Sequence, residues 1–508
     1  MSKSLKNIGV LSFLTVVSRV LGLLRDSIQL ATFGAGEVMS AFTTANIAPN
    51  LFRRLLAEGS MTAAFIPTLE EELQLNGKEG TFRLLSKVSS WLLVITSALV
   101  LLAMAVFSQS RRLVPGHDEK WYLAADLTVI LFPYLALISL SAAFSAALNV
   151  QQRFVEPALS PIWLNLTIIA SLGCAGYFYS RSPIIAIHWL CAGWLAGGFL
   201  QMAVPAAVLI HGGWRPAFDL GLSPRVREIA HLMTPGIFGT AIYQINFSVS
   251  RLLAFSLDDA SASYLYAINR LMEVPIGVFA VAVATVIFPL ITKHAVKGDF
   301  GAMAEDFHKG IRLILVINIP AAAGLALLSG PIVQLVFRHG LVTQADAHRM
   351  GLLLTIMVIG LPFFSVTNLM IRAFYAIKET RTPVRVATVD FFINIAVTLT
   401  LIPLLGVFGI VIASTTAIIA QTLLLAWSLV RRLPQMHFAP LVPSLAKVAL
   451  GTAVMAAVVG GGWIGVEALR LGATASALIA VLGLIPAGVA VYGLVLWKLQ
   501  IEIGRAHV

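Results

Sequence analysis

Apolar runs of membrane-crossing length recur along the whole chain, separated by short polar stretches. A helix needs about 20 mostly apolar residues to span the hydrocarbon core of a bilayer. Read on that basis, the chain divides into fourteen segments: 5–33, 37–56, 85–109, 121–150, 155–178, 183–211, 224–256, 262–291, 305–338, 345–377, 382–404, 407–430, 440–466 and 472–498. The pattern predicts an all-α polytopic membrane protein of about 14 transmembrane helices, with both termini on one side.

The pattern repeats. Segment four, FPYLALISLSAAFSAALN, resembles segment ten, LPFFSVTNLMIRAFYAIK. Pro133 and Pro362 stand 229 residues apart, as do Asn165 in segment five and Asn394 in segment eleven. FIP at 65–67 answers IFP at 287–289, each followed by a polar stretch. These offsets predict two six-helix lobes in the same orientation, 1–220 (helices 1–6) and 221–432 (helices 7–12), followed by two further helices in 433–508. Parallel repeats of this kind are a transporter plan in which the substrate site lies between the halves.

Composition supports the membrane assignment: 58% of the 508 residues are hydrophobic and 12% charged, about half the roughly 25% of soluble domains. The formal net charge of +11 does not indicate nucleic acid, which calls for basic residues gathered on one face. Here no basic run exceeds two residues. Topology explains the charge better. With a cytoplasmic N-terminus, the inside loops and ends hold 21 of the 35 Lys and Arg, the outside loops seven, and the spans seven. This threefold excess follows the positive-inside rule. Cys174 and Cys191 fall in apolar segments without metal or redox spacing, and read as small buried residues. The stretch from Met1 to Lys6, with the apolar run from Ile8, lacks a small-residue cleavage site and is expected to be a retained first helix.

The spans carry charges that lipid would reject, at roughly 2.5–3.5 kcal/mol each on insertion scales. Segment one holds Arg19, Arg25 and Asp26. At 100° per residue Arg19 and Asp26 share a face, whereas Arg25 points away from Arg19. Segment two ends in Asn50-Leu-Phe-Arg53-Arg54-Leu-Leu-Ala-Glu58. Arg54 and Glu58 are spaced to pair, and a stop-transfer anchor is the alternative reading. Segment eight holds Arg270 and Glu273, an i,i+3 pair that could also serve as a helix-locking salt bridge. Arg251 and Arg372 lie near span ends and read as structural. Asp390, one turn before Asn394, reads as a helix–helix hydrogen bond rather than a cation site.

The deep basic residues are all arginine. Guanidinium is weakly hydrated and binds phosphate bidentately, so it suits an oxyanion held out of bulk water. A cation or drug exporter would be expected to place carboxylates there instead. There is no Walker loop, no metal-binding His pair at helical spacing and no nucleophile elbow, so neither an enzyme nor a cofactor is expected.

Ser18-Arg19-Val20-Leu21-Gly22-Leu23-Leu24-Arg25-Asp26, Phe33-Gly34-Ala35-Gly36, and Pro49-Asn50-Leu51-Phe52-Arg53-Arg54-Leu55-Leu56-Ala57-Glu58-Gly59 closely resemble the MurJ (MviN) lipid II flippases. So does Tyr264-Leu265-Tyr266 through Arg270-Leu271-Met272-Glu273 to Pro275 and Gly277. The likeness runs the length of the chain. It implies a multidrug/oligosaccharidyl-lipid/polysaccharide exporter fold with alternating access in a bacterial cytoplasmic membrane. Lipid II (undecaprenyl diphosphate bearing a disaccharide-pentapeptide) is the implied cargo, membrane lipids the surroundings, and cell-wall synthesis proteins candidate partners. By the same likeness Arg19, Arg25, Arg53 and Arg270 bind substrate, while Asp26, Asn50, Arg54, Glu58 and Glu273 line or gate the cavity. The last two helices would frame a groove for the polyprenyl tail. Two positions depart from the family: Ser40 and Asn269 stand where many or some relatives carry an acidic residue. A flippase for another lipid-linked oligosaccharide is the nearest alternative. A cation-coupled multidrug exporter and a non-transporting scaffold are more distant ones.

Overall fold

The structure, a computed structural model, describes residues 3–56, 60–179 and 182–500. Among them every regular element is helical. Ten stretches of the described residues are long and apolar enough to cross a membrane. They correspond to segments three to six and nine to fourteen of the expected fourteen.

Several expected single spans are interrupted. Segment two becomes two short helices, Glu37–Ala45 and Ile47–Leu56. Segment eight runs as Ser261–Pro275, a π-helical turn at Ile276–Ala280, then Val281–Lys297. The ring of Pro275 supplies no N–H to the helical ladder, and wide turns form where that ladder is broken. Segment three starts far earlier than expected, in a stretch from Ser60 to Ser108 that bends at Gly77. There φ is +63°, a left-handed conformation that costs glycine little.

The chain forms two compact units, Met1–Ser263 and Tyr264–Val508. The first unit has a core around Phe65, Leu85, Phe144 and Trp214. It includes the helix Pro224–Leu257, through Val226 and Ile229. Arg225 anchors the start of that helix, contacting Glu71 at 3.0 Å, Glu72 at 3.7 Å and Glu228 at 3.0 Å. Its far end is held where Lys120 meets Asp259 at 3.2 Å. The second unit has its core around Phe307, Leu369, Phe374 and Leu425. In that unit the helices Val442–Ala468 and Ile485–Lys498 pack through glycines: an added Cβ would come 3.1 Å from the Tyr492 ring at Gly451 and 2.7 Å from Val459 at Gly488.

In lipid there is little hydrophobic gain on helix association, so close packing of small residues carries much of it. One such seam positions the site. On the helix Pro183–His211, a Cβ at Gly197 would lie 2.5 Å from Thr167 and 3.0 Å from the Leu164 backbone. A Cβ at Gly198 would lie 2.6 Å from the Tyr134 ring. Only bare backbone lets this helix approach Val155–Tyr179, which places Asn165 and Trp194 beside the first helix.

Candidate functional site

Six of the seven arginines within the expected spans, Arg19, Arg25, Arg53, Arg54, Arg251 and Arg270, lie in segments one, two, seven and eight. These segments are the first two helices of each expected six-helix lobe. Eight of the nine candidate residues lie in them, and Glu58 follows segment two directly, outside the described residues. Charge within the spans is therefore concentrated in these segments, as expected of helices that face something other than lipid.

In the first helix, Lys3–Phe33, Arg25 and Asp26 are 6% and 1% exposed. The helical wheel turns Arg25 away from Arg19. Its long side chain nevertheless bends round to its neighbour, and Nε and Nη2 donate to Asp26 Oδ1 at 2.8 and 2.7 Å. The remaining edge faces Asn165: Nη1 donates to Oδ1 at 3.0 Å. The Trp194 ring lies 5.4 Å from the guanidinium carbon, within cation–π range. Trp194 is itself fixed edge-on against Tyr134, centroids 5.6 Å apart, and Tyr134 donates to Gln201 at 3.1 Å. Arg19, two turns earlier, is exposed.

In segment two Asn50 caps no helix end; its Nδ2 donates back to the Asn46 carbonyl at 3.0 Å. Its Oδ1 accepts from Arg53 Nε at 3.1 Å. Arg54 donates to Gln244 Oε1 at 3.3 Å and lies 6.0 Å from the Phe247 ring. Both partners belong to the helix Pro224–Leu257 of the same unit. Arg251 covers the Phe247 ring at 4.3 Å.

In the second unit Arg270 pairs with Glu273 at 2.7 Å, as their spacing predicts. This pair is half open, at 31% and 46% side-chain exposure. The Tyr266 ring lies 5.1 Å from the Arg270 guanidinium.

The two positions that depart from the family are both accommodated locally. Ser40 is buried with its hydroxyl 2.9 Å from that of Ser263, and Asn269 donates to the Leu265 carbonyl at 2.7 Å. Arg372 donates to Thr285 at 3.4 Å. Asp390 and Asn394 are both buried.

Sequence spacing does not place Asn165, Trp194 or Gln244 at these arginines, whereas Tyr266 stands one turn before Arg270 on the same helix face. An amide inside an apolar run is the available signal for Asn165 and Gln244. For Trp194 there is none, because aromatic residues are ordinary in such helices.

A family model described as "MurJ: Lipid II flippase MurJ" matches residues 30–482. The chain belongs to the MurJ family. A probable lipid II flippase MurJ of Rhizobium meliloti is 32% identical over 94% of this chain and 90% of its own length. One from Haemophilus influenzae is 33% identical over 79% of this chain and 81% of its own length. Among solved structures, a lipid II flippase MurJ in an inward closed conformation superposes with a TM-score of 0.78 at 26% identity, covering 97% of this chain and 99% of that one. An inward-facing multidrug resistance MATE family transporter of the MOP superfamily shares the fold, with a TM-score of 0.65 at 14% identity and coverage of 82% and 95%.

Proposed function

We propose that this chain flips lipid II from the inner to the outer leaflet of the bacterial cytoplasmic membrane by alternating access, with both termini cytoplasmic. The observation that carries the reading is chemical. Six of the seven cations within the expected spans fall in the first two helices of each expected lobe, and all seven are arginines. Arg19, Arg25, Arg53 and Arg270 supply planar donor forks that match a diphosphate. Asp26, Asn50, Glu273 and, by its place in the sequence, Glu58 restrain or gate those forks. The two six-helix lobes, 1–220 and 221–432, rock about the bound head group. Helices in 433–508 hold the polyprenyl tail, which suits their long exposed apolar faces at Leu450, Ile464, Leu482, Val489 and Leu494. Cell-wall synthesis proteins would take the delivered precursor.

The test is conditional complementation of a lipid II flippase deletion by wild type, Arg19→Ala and Arg270→Ala at matched membrane levels. Rescue by wild type alone is the expected result. Failure of a well-expressed wild type points to a different lipid-linked glycan, and rescue by all three removes the arginines from the mechanism.

A further inference from the structure

Asn165 is used by the first helix from both ends of its amide. Oδ1 accepts from Arg25 Nη1 at 3.0 Å, and Nδ2 donates to the Ser18 carbonyl at 3.0 Å. The residue is 4% exposed. Side chains on a helix lean toward its N-terminus, so the long Arg25 side chain reaches back along the helix. There it passes Gly22, which lies directly beneath Asn165: a Cβ on it would sit in ordinary contact, 3.7 Å from Nδ2. The amide thus bridges a backbone carbonyl and a guanidinium two turns apart in sequence.

We propose that Asn165 is a positioning residue for Arg25, setting the direction of the guanidinium without neutralising it; this rests on the reading of Arg25 as a lipid-diphosphate ligand. The choice of amide is informative. Asp26 already supplies one negative charge to Arg25. A second carboxylate at 165 would oppose an incoming phosphate and could not donate to the Ser18 carbonyl. An apolar side chain would leave Arg25 Nη1 without its partner and let the fork turn. Trp194 at 5.4 Å limits that turn on the remaining side.

The test is a double-mutant cycle on full-length protein in nanodiscs, reading equilibrium binding of lipid II and, in parallel, of undecaprenyl diphosphate without saccharide. Asn165→Leu is expected to weaken binding about tenfold or more, the scale of a hydrogen bond to a charged group. In an Arg25→Ala background it should add nothing, and in an Arg270→Ala background it should add its full effect. Asn165→Asp, nearly isosteric, keeps the inference testable if the leucine variant folds poorly. Its binding should improve as pH falls, because the protonated carboxyl again donates to Ser18 and accepts from Arg25; wild-type binding should lack this recovery. Equal losses in both arginine backgrounds, or an Asn165→Asp variant with the wild-type pH profile, would overturn the positioning role while the cargo reading stands. Wild type that binds undecaprenyl diphosphate but not lipid II overturns the cargo reading and leaves the cycle to be read on the simpler lipid. Binding of neither overturns both.

Discussion

Two arginine–carboxylate pairs, Arg25–Asp26 and Arg270–Glu273, have the same 2.7 Å separation and opposite surroundings. The first is sealed, with side chains 7% and 2% exposed; the second is open, at 31% and 46%. Distance alone would rank them equal, but the medium does not. Removing one member of a buried pair strands a charge in low dielectric, whereas a water-facing pair contributes little. Under the proposed function, in which this face opens on a water-filled cavity, Arg270 would exchange its carboxylate for another anion at small cost. Arg25 is instead held by its neighbour, an amide and an indole, so any response to cargo must begin from a fixed geometry. Of the two arginines, one is adaptable and the other is set in advance.

The strongest way to break this comparison is to neutralise each carboxylate. Asp26→Asn should reduce unfolding stability by about 3–5 kcal/mol, and Glu273→Gln by no more than about 1 kcal/mol, as read by denaturant titration in micelles. Equal losses would show that the difference in burial has no energetic consequence. Replacing both members, Arg25→Leu with Asp26→Leu, should recover most of the stability lost by Asp26→Asn, since a buried pair is often no better than apolar packing of similar volume. Lipid II transport should stay lost, which separates folding from function.

Arg270→Lys sharpens the other side. Stability should hold within about 1 kcal/mol. Lipid II binding should fall about tenfold, the scale of a charged hydrogen bond that a point-charge ammonium no longer makes in bidentate form. Gly197→Ala tests how the sealed site is built. Its methyl meets Thr167 at 2.5 Å and the Leu164 backbone at 3.0 Å, so about 1–3 kcal/mol of overpacking is expected. Binding should also weaken as Asn165 and Trp194 move.

A pair outside the spans sets the lower end of the scale. Glu379 accepts from the Thr382 backbone and from Arg432 at 2.8 Å. These contacts, the backbone bond foremost, hold its carboxyl below the usual range. A depressed carboxyl adds stability above its unfolded value and loses it as pH falls through the folded one. The small difference in melting temperature between wild type and Glu379→Gln should therefore be constant near neutral pH and vanish on acidification below about pH 4.

Much of this was legible from the chain. Hydropathy located the helices because lipid demands long apolar runs with internally satisfied backbones. Local spacing found the Arg270–Glu273 pair because three residues place two side chains on one helix face. The same rule failed for Arg25 and Asp26, where a flexible side chain spans the 100° between neighbours. It also could not show that segments two and eight are broken, since a π turn or a short helical joint depends on what the freed backbone groups meet.

Asn165 shows most clearly where sequence ends and structure begins. Its position in the repeat, 229 residues before Asn394, was visible, and its work was not. Its amide reaches 140 residues back along the chain to Arg25. The amino-acid sequence by itself determined the membrane class and the restriction of deep cations to arginine, because these follow from transfer energies and local periodicity. Only the tertiary structure decided which arginine is sealed and which is open. Burial depends on the helices brought alongside, and for Arg25 these approach across Gly197 and Gly198, where backbone meets side chain without a Cβ between them.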